Sequence, residues 1–201
     1  MTDTGMAADN LFDSIRHRRS IKLKDLDPAP IELGLVARML EAANWAPSHG
    51  KTEPWRFVVF SGEERRVIGD AFGAAYRTIN QSGAFTKAGL AAVEAKVWQA
   101  PVWIALGVEP SPTRPEWEEL IAFGSAVMNA QLMACALGLG CKWTSGATAI
   151  HPLVHEAVGF SVGTILRGFL YVGRPAVPWP VGERRPIEEK VRWVGGGPSP
   201  V

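Results

Sequence analysis

Two guanidinium forks and a hydroxyl stand side by side at Arg18-Arg19-Ser20, with a further cation close by at Lys22. Arginine's planar fork matches the oxygens of a phosphate monoester, and a hydroxyl adds a neutral donor, so the run has the chemistry to hold a phosphate. Standing alone, the same run would read more readily as a solvated helix end. A second dense stretch is Trp45-Ala46-Pro47-Ser48-His49-Gly50-Lys51-Thr52-Glu53-Pro54-Trp55-Arg56-Phe57. Tryptophans, a histidine and a lysine are gathered there between a helix-periodic segment and a β-rich one. Irregular chain between rigid elements is where binding groups concentrate. Cys141-Lys142-Trp143-Thr144-Ser145-Gly146 forms another tryptophan loop.

Other chemistries are poorly supported. His151 and His155 share a helical spacing, but Pro152 puts His151 at or before the helix start and no HExxH pattern exists. A metal site is therefore not expected. Gly138-Leu139-Gly140 lacks the third glycine of a dinucleotide fingerprint, and neither a P-loop nor a GxSxG elbow occurs.

The elements that must position these residues follow from periodicity and punctuation. Leu11, Phe12 and Ile15 give a first helix an apolar face and bring its C-terminus to Arg16–Arg19, where cations suit the helix dipole. Ile31, Leu35, Val36, Met39, Leu40 and Ala43 recur at helical spacing until Pro47. Buried strands are expected at 57–60, 101–108 and 164–172, with helices over 63–80 and 85–99 and a short helix carrying His155. A long helix is expected from Glu116 to Leu137, stopped by Gly138 and Gly140. Ile121 to Gly140 carries no formal charge, about the length that spans a bilayer. Its small residues Gly124, Ala126, Ala130 and Ala134 fit a soluble-protein helix buried on all sides. From Gly173 onward the prolines forbid much helix, yet Val177, Trp179, Ile187, Val191 and Trp193 are too apolar for a solvated tail. That segment should lie across its own domain or a partner subunit.

Composition sets the outer bounds. A chain of 201 residues, 47% hydrophobic, suffices for one well-buried domain. A net charge of +1 provides no field to draw it to nucleic acid or anionic lipid, so neither is an expected partner. Cys135 and Cys141 form no CxxC pair, and residues 1–10 contain no apolar signal segment, which fits a reducing cytoplasm.

Four motifs in order, Arg18-Arg19-Ser20-Ile21-Lys22, Ala46-Pro47-Ser48 through Pro54-Trp55-Arg56-Phe57, the long apolar helix ending Gly138-Leu139-Gly140, and Gly168-Phe169-Leu170-Tyr171-Val172-Gly173-Arg174-Pro175, resemble the nitroreductase family. The similarity runs over about 11–193 and is nearest to the short bacterial members. It implies an α+β fold with a mixed β-sheet flanked by helices and an extended C-terminal arm from about 174. One domain would then cover 11–193, with 1–10 and 194–201 as flexible ends. It also implies FMN as cofactor, NADH or NADPH as reductant, a nitroaromatic, quinone or related small molecule as electron acceptor, and a homodimer with flavin at the subunit interface.

Carried over by motif, Arg18, Arg19 and Ser20 would hold the phosphate side, Lys22 the pyrimidine end of the ring, and Arg184 would close on the phosphate. Trp45, His49 and Lys51 would cover the flavin from the partner subunit, while Trp143, Thr144, Ser145 and Gly146 would run beside the isoalloxazine. Lys51-Thr52-Glu53 departs from the polar run that many members carry before Pro-Trp. No acid or base is needed for hydride transfer itself, so no catalytic side chain is nominated. Two alternatives share the same residues: a flavin carrier without turnover, since fold does not fix function, and a colourless structural protein whose tryptophans are core.

Overall fold

Strand Val102–Val108 is buried along its whole length, and its alternation divides the interior in two. Val102, Ile104, Leu106 and Val108 face one core, while Trp103 and Ala105 face the other. A strand covered on both sides needs helices on both sides. The chain provides them. The structure, a computed structural model, describes residues 4–197. Its elements are α1 (Thr4–His17), β1 (Leu26–Asp27), α2 (Leu33–Asn44), β2 (Trp55–Ser61), α3 (Arg65–Ile79), α4 (Lys87–Ala95), β3 (Val102–Val108), α5 (Glu116–Ala136), β4 (Gly140–Thr144), α6 (Pro152–Val158) and β5 (Ile165–Pro175). Short 3₁₀ turns sit at Leu23–Asp25, His49–Lys51, Gly62–Glu64, Lys96–Gln99 and Ile187–Lys190.

The five-stranded sheet has the order β1-β5-β3-β2, with β4 also paired to β5. All four ladders are antiparallel. The mixed character expected of the sheet is thus reduced to one isolated parallel bridge, Ser20 to Cys141. The α+β class stands. Among the described residues β2 pairs only with β3, so its other edge is open.

Helices α2 and α5 pack on one face through Val36, Met39, Ala43, Phe123, Val127 and Ala130. On the other face, α3 and α6 place Ile68, Phe72, Ala75, Val154 and Val158 against Trp103, Phe169 and Tyr171. Phe72 meets Trp103 edge-on at 5.7 Å and Phe169 at 5.6 Å, an arrangement aromatic rings favour beyond simple burial. The Trp103 indole N–H is satisfied by the Val97 carbonyl at 3.2 Å. Leu26 and Asp27, just before Pro28, form only a two-residue strand against Pro175 and Arg174, too short for a sequence pattern to announce.

Helix α1 begins at Thr4, ahead of the apolar spacing that starts at Leu11. Residues 1–3 and 198–201, part of the ends read as flexible, lie outside the described residues. Helix α5 is long and apolar enough to cross a membrane, but it packs on α2 and the sheet as a core helix. The expectation that it is buried on all sides is corrected: Trp117 is 62% exposed, Ile121 61% and Met128 43%. One chain has only enough sheet and helix to cover one side of it. The arm after Pro175 is likewise exposed through Val181, Ile187, Trp193 and Val194.

Candidate functional site

Arg18 and Arg19 follow directly on α1, and the chain then turns to run beside β4. Ser20 bridges Cys141, and the Ile21 N–H donates to the Cys141 carbonyl at 3.1 Å. Ile21 is buried and locks this crossing. Arg18, Arg19 and Arg184 line one cavity of about 660 Å³, together with Arg16, Met128, Leu132 and Gly182. No carboxylate lines it, and none of these arginines has an ion-pair partner among the described residues.

Arg18 reaches Gln131 Oε1 at 3.4 Å, and Arg19 donates to the carbonyls of Arg16 and Arg18, each at 2.7 Å. The Nε of Arg19 is buried without a partner. The arm is what closes this side. A Cβ at Gly182 would lie only 1.9 Å from the Arg19 guanidinium carbon, so any side chain there would displace the guanidinium from its present place. Trp179 donates its indole N–H to the His17 carbonyl and pins the arm at the end of α1. Gathering like charges without counter-charges is costly unless an anion completes the set.

Lys22 opens onto a second cavity of about 600 Å³, shared with Lys24, Lys96, Lys142, Thr144 and Gly146, and walled by Phe72, Trp103 and Tyr171. Among the described residues no carboxylate lines it either. Residues 18–22 therefore lead from the first cavity to the second, a span of about 13 Å for extended chain. Burial pushes the Tyr171 phenol up to about 12, so it stays a neutral wall group. Burial likewise pushes the Cys141 thiol up to about 12 against the field of Arg18, leaving it unreactive.

Lys142 and Thr144 reach the second cavity because alternate residues of β4 share a face. Trp143 points the other way. Its ring packs edge-on against Phe123 at 5.5 Å and its indole N–H donates to the Arg167 carbonyl. Ser145 is exposed beside Gly146 at the mouth of this loop. Opposite it, Gly168 has φ 115°, and a Cβ there would lie 2.1 Å from the Thr144 carbonyl oxygen, so glycine is demanded both by backbone conformation and by space.

Trp45, His49 and Lys51 stand apart from both cavities. Trp45 is the C-cap of α2, 79% exposed, with its indole N–H on Glu41. Gly50, Lys51 and Glu53 all have positive φ, a conformation that costs non-glycine residues about 1–3 kcal/mol each. Ser48 Oγ accepts from the Glu53 N–H, and Arg56 donates to the Glu53 carbonyl, which holds the strained loop in place. His49 lines a third cavity with Trp117, Glu118, Ile121 and Ser125.

Trp117, Ile121, Ser125, Met128 and Leu132 lie at spacings of four, four, three and four on one side of α5. This seam joins the His49 cavity at one end to the arginine cavity at the other. Lys24 and Lys96 carry no signal in the sequence, because isolated lysines read as solvated surface, while Arg16 and Lys142 belong to stretches the sequence does mark without a role of their own. The i, i+2 relation of Lys142 to Thr144 was the available signal.

A profile described as the nitroreductase family matches residues 15–174. The chain belongs to the nitroreductase family. Among its relatives is the provisionally named NAD(P)H nitroreductase YfhC of Bacillus subtilis, 29% identical over 90% of this chain and 92% of that protein. The crystal structure of a nitroreductase-like family protein from Bacillus cereus superposes with a TM-score of 0.77 at 29% identity, covering 92% of this chain and 96% of the other. A provisionally assigned nitroreductase from Desulfovibrio desulfuricans, solved in complex with FMN, gives a TM-score of 0.70 at 26% identity over 94% and 98% of the two chains. His151 and His155 have ordinary structural tasks in this family fold: His151 caps α6 through the Leu153 N–H, and His155 bonds the Thr164 carbonyl.

Proposed function

We propose that this protein is an FMN-dependent oxidoreductase that takes hydride from NADH or NADPH and reduces nitroaromatics, quinones or related small acceptors, working as a cytoplasmic homodimer. The observation that carries the reading is the carboxylate-free cavity where Arg18, Arg19 and Arg184 converge around the unpartnered Arg19 Nε. The donor set fits a phosphate dianion, which is acceptor-only and needs charge-assisted partners. The D. desulfuricans structure, solved with FMN, supports the same assignment, as does the NAD(P)H nitroreductase name of YfhC.

In this reading Arg18, Arg19, Ser20 and Arg184 hold the phosphate. Lys22 lies at the pyrimidine end of the ring, and the backbone of Trp143, Thr144, Ser145 and Gly146 borders its edge. FMN bound there supplies two-electron exchange between a nicotinamide and an acceptor. Lys22, with Lys24, Lys96 and Lys142 around the same cavity, offers positive charge that favours an anionic reduced ring. Phe72, Trp103 and Tyr171 keep the inner wall apolar and exclude water.

One domain over 11–193, with its arm from about 174, carries all of these groups. The free cysteines Cys135 and Cys141 suit a reducing compartment. Freshly purified protein should show flavin absorbance bands, with FMN and not FAD released by acid, and should oxidise NAD(P)H when a quinone is added. Colourless protein that gains no stability from FMN would refute the assignment. Bound FMN with no NAD(P)H oxidation would leave the flavin carrier instead.

The exposed seam of α5 supports the homodimer, because a twofold axis across one helix would cover both copies' open faces at once. It would also lay the loop of Trp45, His49 and Lys51 against the arginine cavity of the other copy. Gly124, near the middle of α5, has nothing within 4 Å of the position a Cβ would take. Within one chain Gly124→Leu should therefore fold at least as well as wild type, since leucine is the better helix former by several tenths of a kcal/mol. If a second α5 packs there, the same change should raise the dimer dissociation constant by at least ~100-fold in sedimentation experiments, and an unchanged constant would exclude this seam.

A further inference from the structure

A histidine–carboxylate contact lies outside both the arginine cavity and the lysine cavity. His49 Nδ1 lies 2.5 Å from Glu118 Oε2, joining the loop after α2 to the first turn of α5. The histidine side chain is 58% exposed, and exposed pairs contribute little stability. Ser48 and Arg56 already tie down the strained loop, so the fold has no need of this contact. A carboxylate on Nδ1 fixes the ring's orientation and keeps a proton on Nδ1, so that the imidazolium form presents its Nε2–H to the cavity as the donor. Nε2 has no partner among the described residues. Beside it, Trp117 and Ile121 offer an exposed indole and an apolar side chain, a platform for a flat molecule.

We propose that His49, oriented by Glu118, donates the proton that an acceptor oxygen takes up during reduction, at the flavin site of the partner subunit, with Trp117 stacking on the acceptor. The proposal rests on the homodimeric flavin reading above. A twofold axis across the α5 seam brings the His49 end of one copy toward the arginine end of the other, with Ile121 and Met128 only about 10 Å apart along the helix; the proposal requires the outer edge of the ring, opposite its pyrimidine end at Lys22, to lie over this seam.

For a quinone, the overall change is quinone plus NAD(P)H plus a proton giving hydroquinone plus NAD(P)⁺. The electron pair and one hydrogen originate in the reductant's hydride. The remaining O–H bond forms as the N–H bond at His49 Nε2 breaks, and the neutral imidazole regains its proton from solvent. Glu118 is a positioning residue: it touches no acceptor and acts through His49.

The test uses the FMN-loaded, full-length protein and two oxidants. A quinone such as menadione requires a proton for each oxygen, whereas ferricyanide accepts one electron and no proton. Glu118→Gln should lose at least ~10-fold more rate with menadione than with ferricyanide, within the range that a positioned acid contributes. Adding His49→Gln to Glu118→Gln should cost little beyond either change alone, because the two act as one unit. Binding gives an independent readout. 1-Naphthol, flat and not reducible, should bind His49→Gln and Trp117→Leu about 10-fold more weakly, followed by perturbation of the flavin spectrum. Equal losses with both oxidants, or unchanged quinone reduction and naphthol affinity, would overturn the proposal. A colourless or monomeric wild-type protein would remove the site on which it stands, and is seen before any variant is made.

Discussion

Reversing the charge at Arg18 is expected to strip FMN from a protein that stays folded. The guanidinium lies in a cavity without carboxylates, and its one side-chain hydrogen bond, to Gln131, is long at 3.4 Å. Little in the apoprotein therefore depends on it, and Arg18→Glu should change unfolding free energy by about 1 kcal/mol or less. The bound state is different. A glutamate would face a phosphate dianion across a cavity with reduced access to water, and loss of a charge-assisted partner costs about 2–5 kcal/mol even before repulsion is added. At 1.4 kcal/mol per tenfold, FMN affinity should fall by at least ~100-fold. Equilibrium titration with FMN, alongside urea denaturation of the apoprotein, checks both halves. Unchanged affinity in a well-folded variant would mean that the arginines are a surface cluster and that the phosphate lies elsewhere.

Removing the arm should weaken cofactor binding and assembly in a single step. Residues 177–201 can be deleted without touching the ladder, because β5 ends at Pro175 and the Ala176 N–H bonds the Asp25 carbonyl. The deletion takes away Arg184, the close contact of Gly182 with Arg19, and the Trp179 bond to the His17 carbonyl. It also removes Ile187 and Trp193, which are more than half exposed in one chain and so are free to pack on another. The truncated protein should bind FMN at least ~100-fold more weakly, by the same reasoning that applies to the loss of one phosphate arginine. It should dissociate at concentrations where the full chain remains dimeric. An arm-deleted dimer that holds FMN at full affinity would show that the arm serves neither purpose.

Much of this arrangement was legible because single residues punctuate it. Pro115 and Gly138 bracket α5, so its observed span of Glu116–Ala136 matches the expected one to its last turn. The continuous apolar run of 101–108 could belong only to a strand covered on both sides. Residues 4–10, by contrast, have no apolar stripe, and their helical state owes nothing to a pattern a reader could see. Strand β1 exists only because β5 is long enough to pair with it. For α5, an all-round apolar surface announces that it will be covered but not by whom, and the exposed Trp117, Ile121 and Met128 are the unanswered part.

The candidate site was legible where charge density is unusual, at Arg18-Arg19-Ser20. It was obscure where position depends on pleat, as at Trp143. The indole of Trp143 turns into the α2–α5 core while its neighbours Lys142 and Thr144 reach the cavity. Arg184 lies far along the chain from Arg18, and only the arm's path over Arg19 brings it into the same cavity.

The open edge of β2 has a consequence for handling the protein. Trp55–Ser61 presents a row of unpaired N–H and C=O groups on a segment that includes Phe57, Val58, Val59 and Phe60. Such an edge is a template for any extended chain that meets it, and a run of β-branched and aromatic residues with one charge, Arg56, does little to discourage further strands. A concentrated preparation should therefore fail first by forming fibrillar or amorphous aggregates through this edge, while its helices and core are still intact.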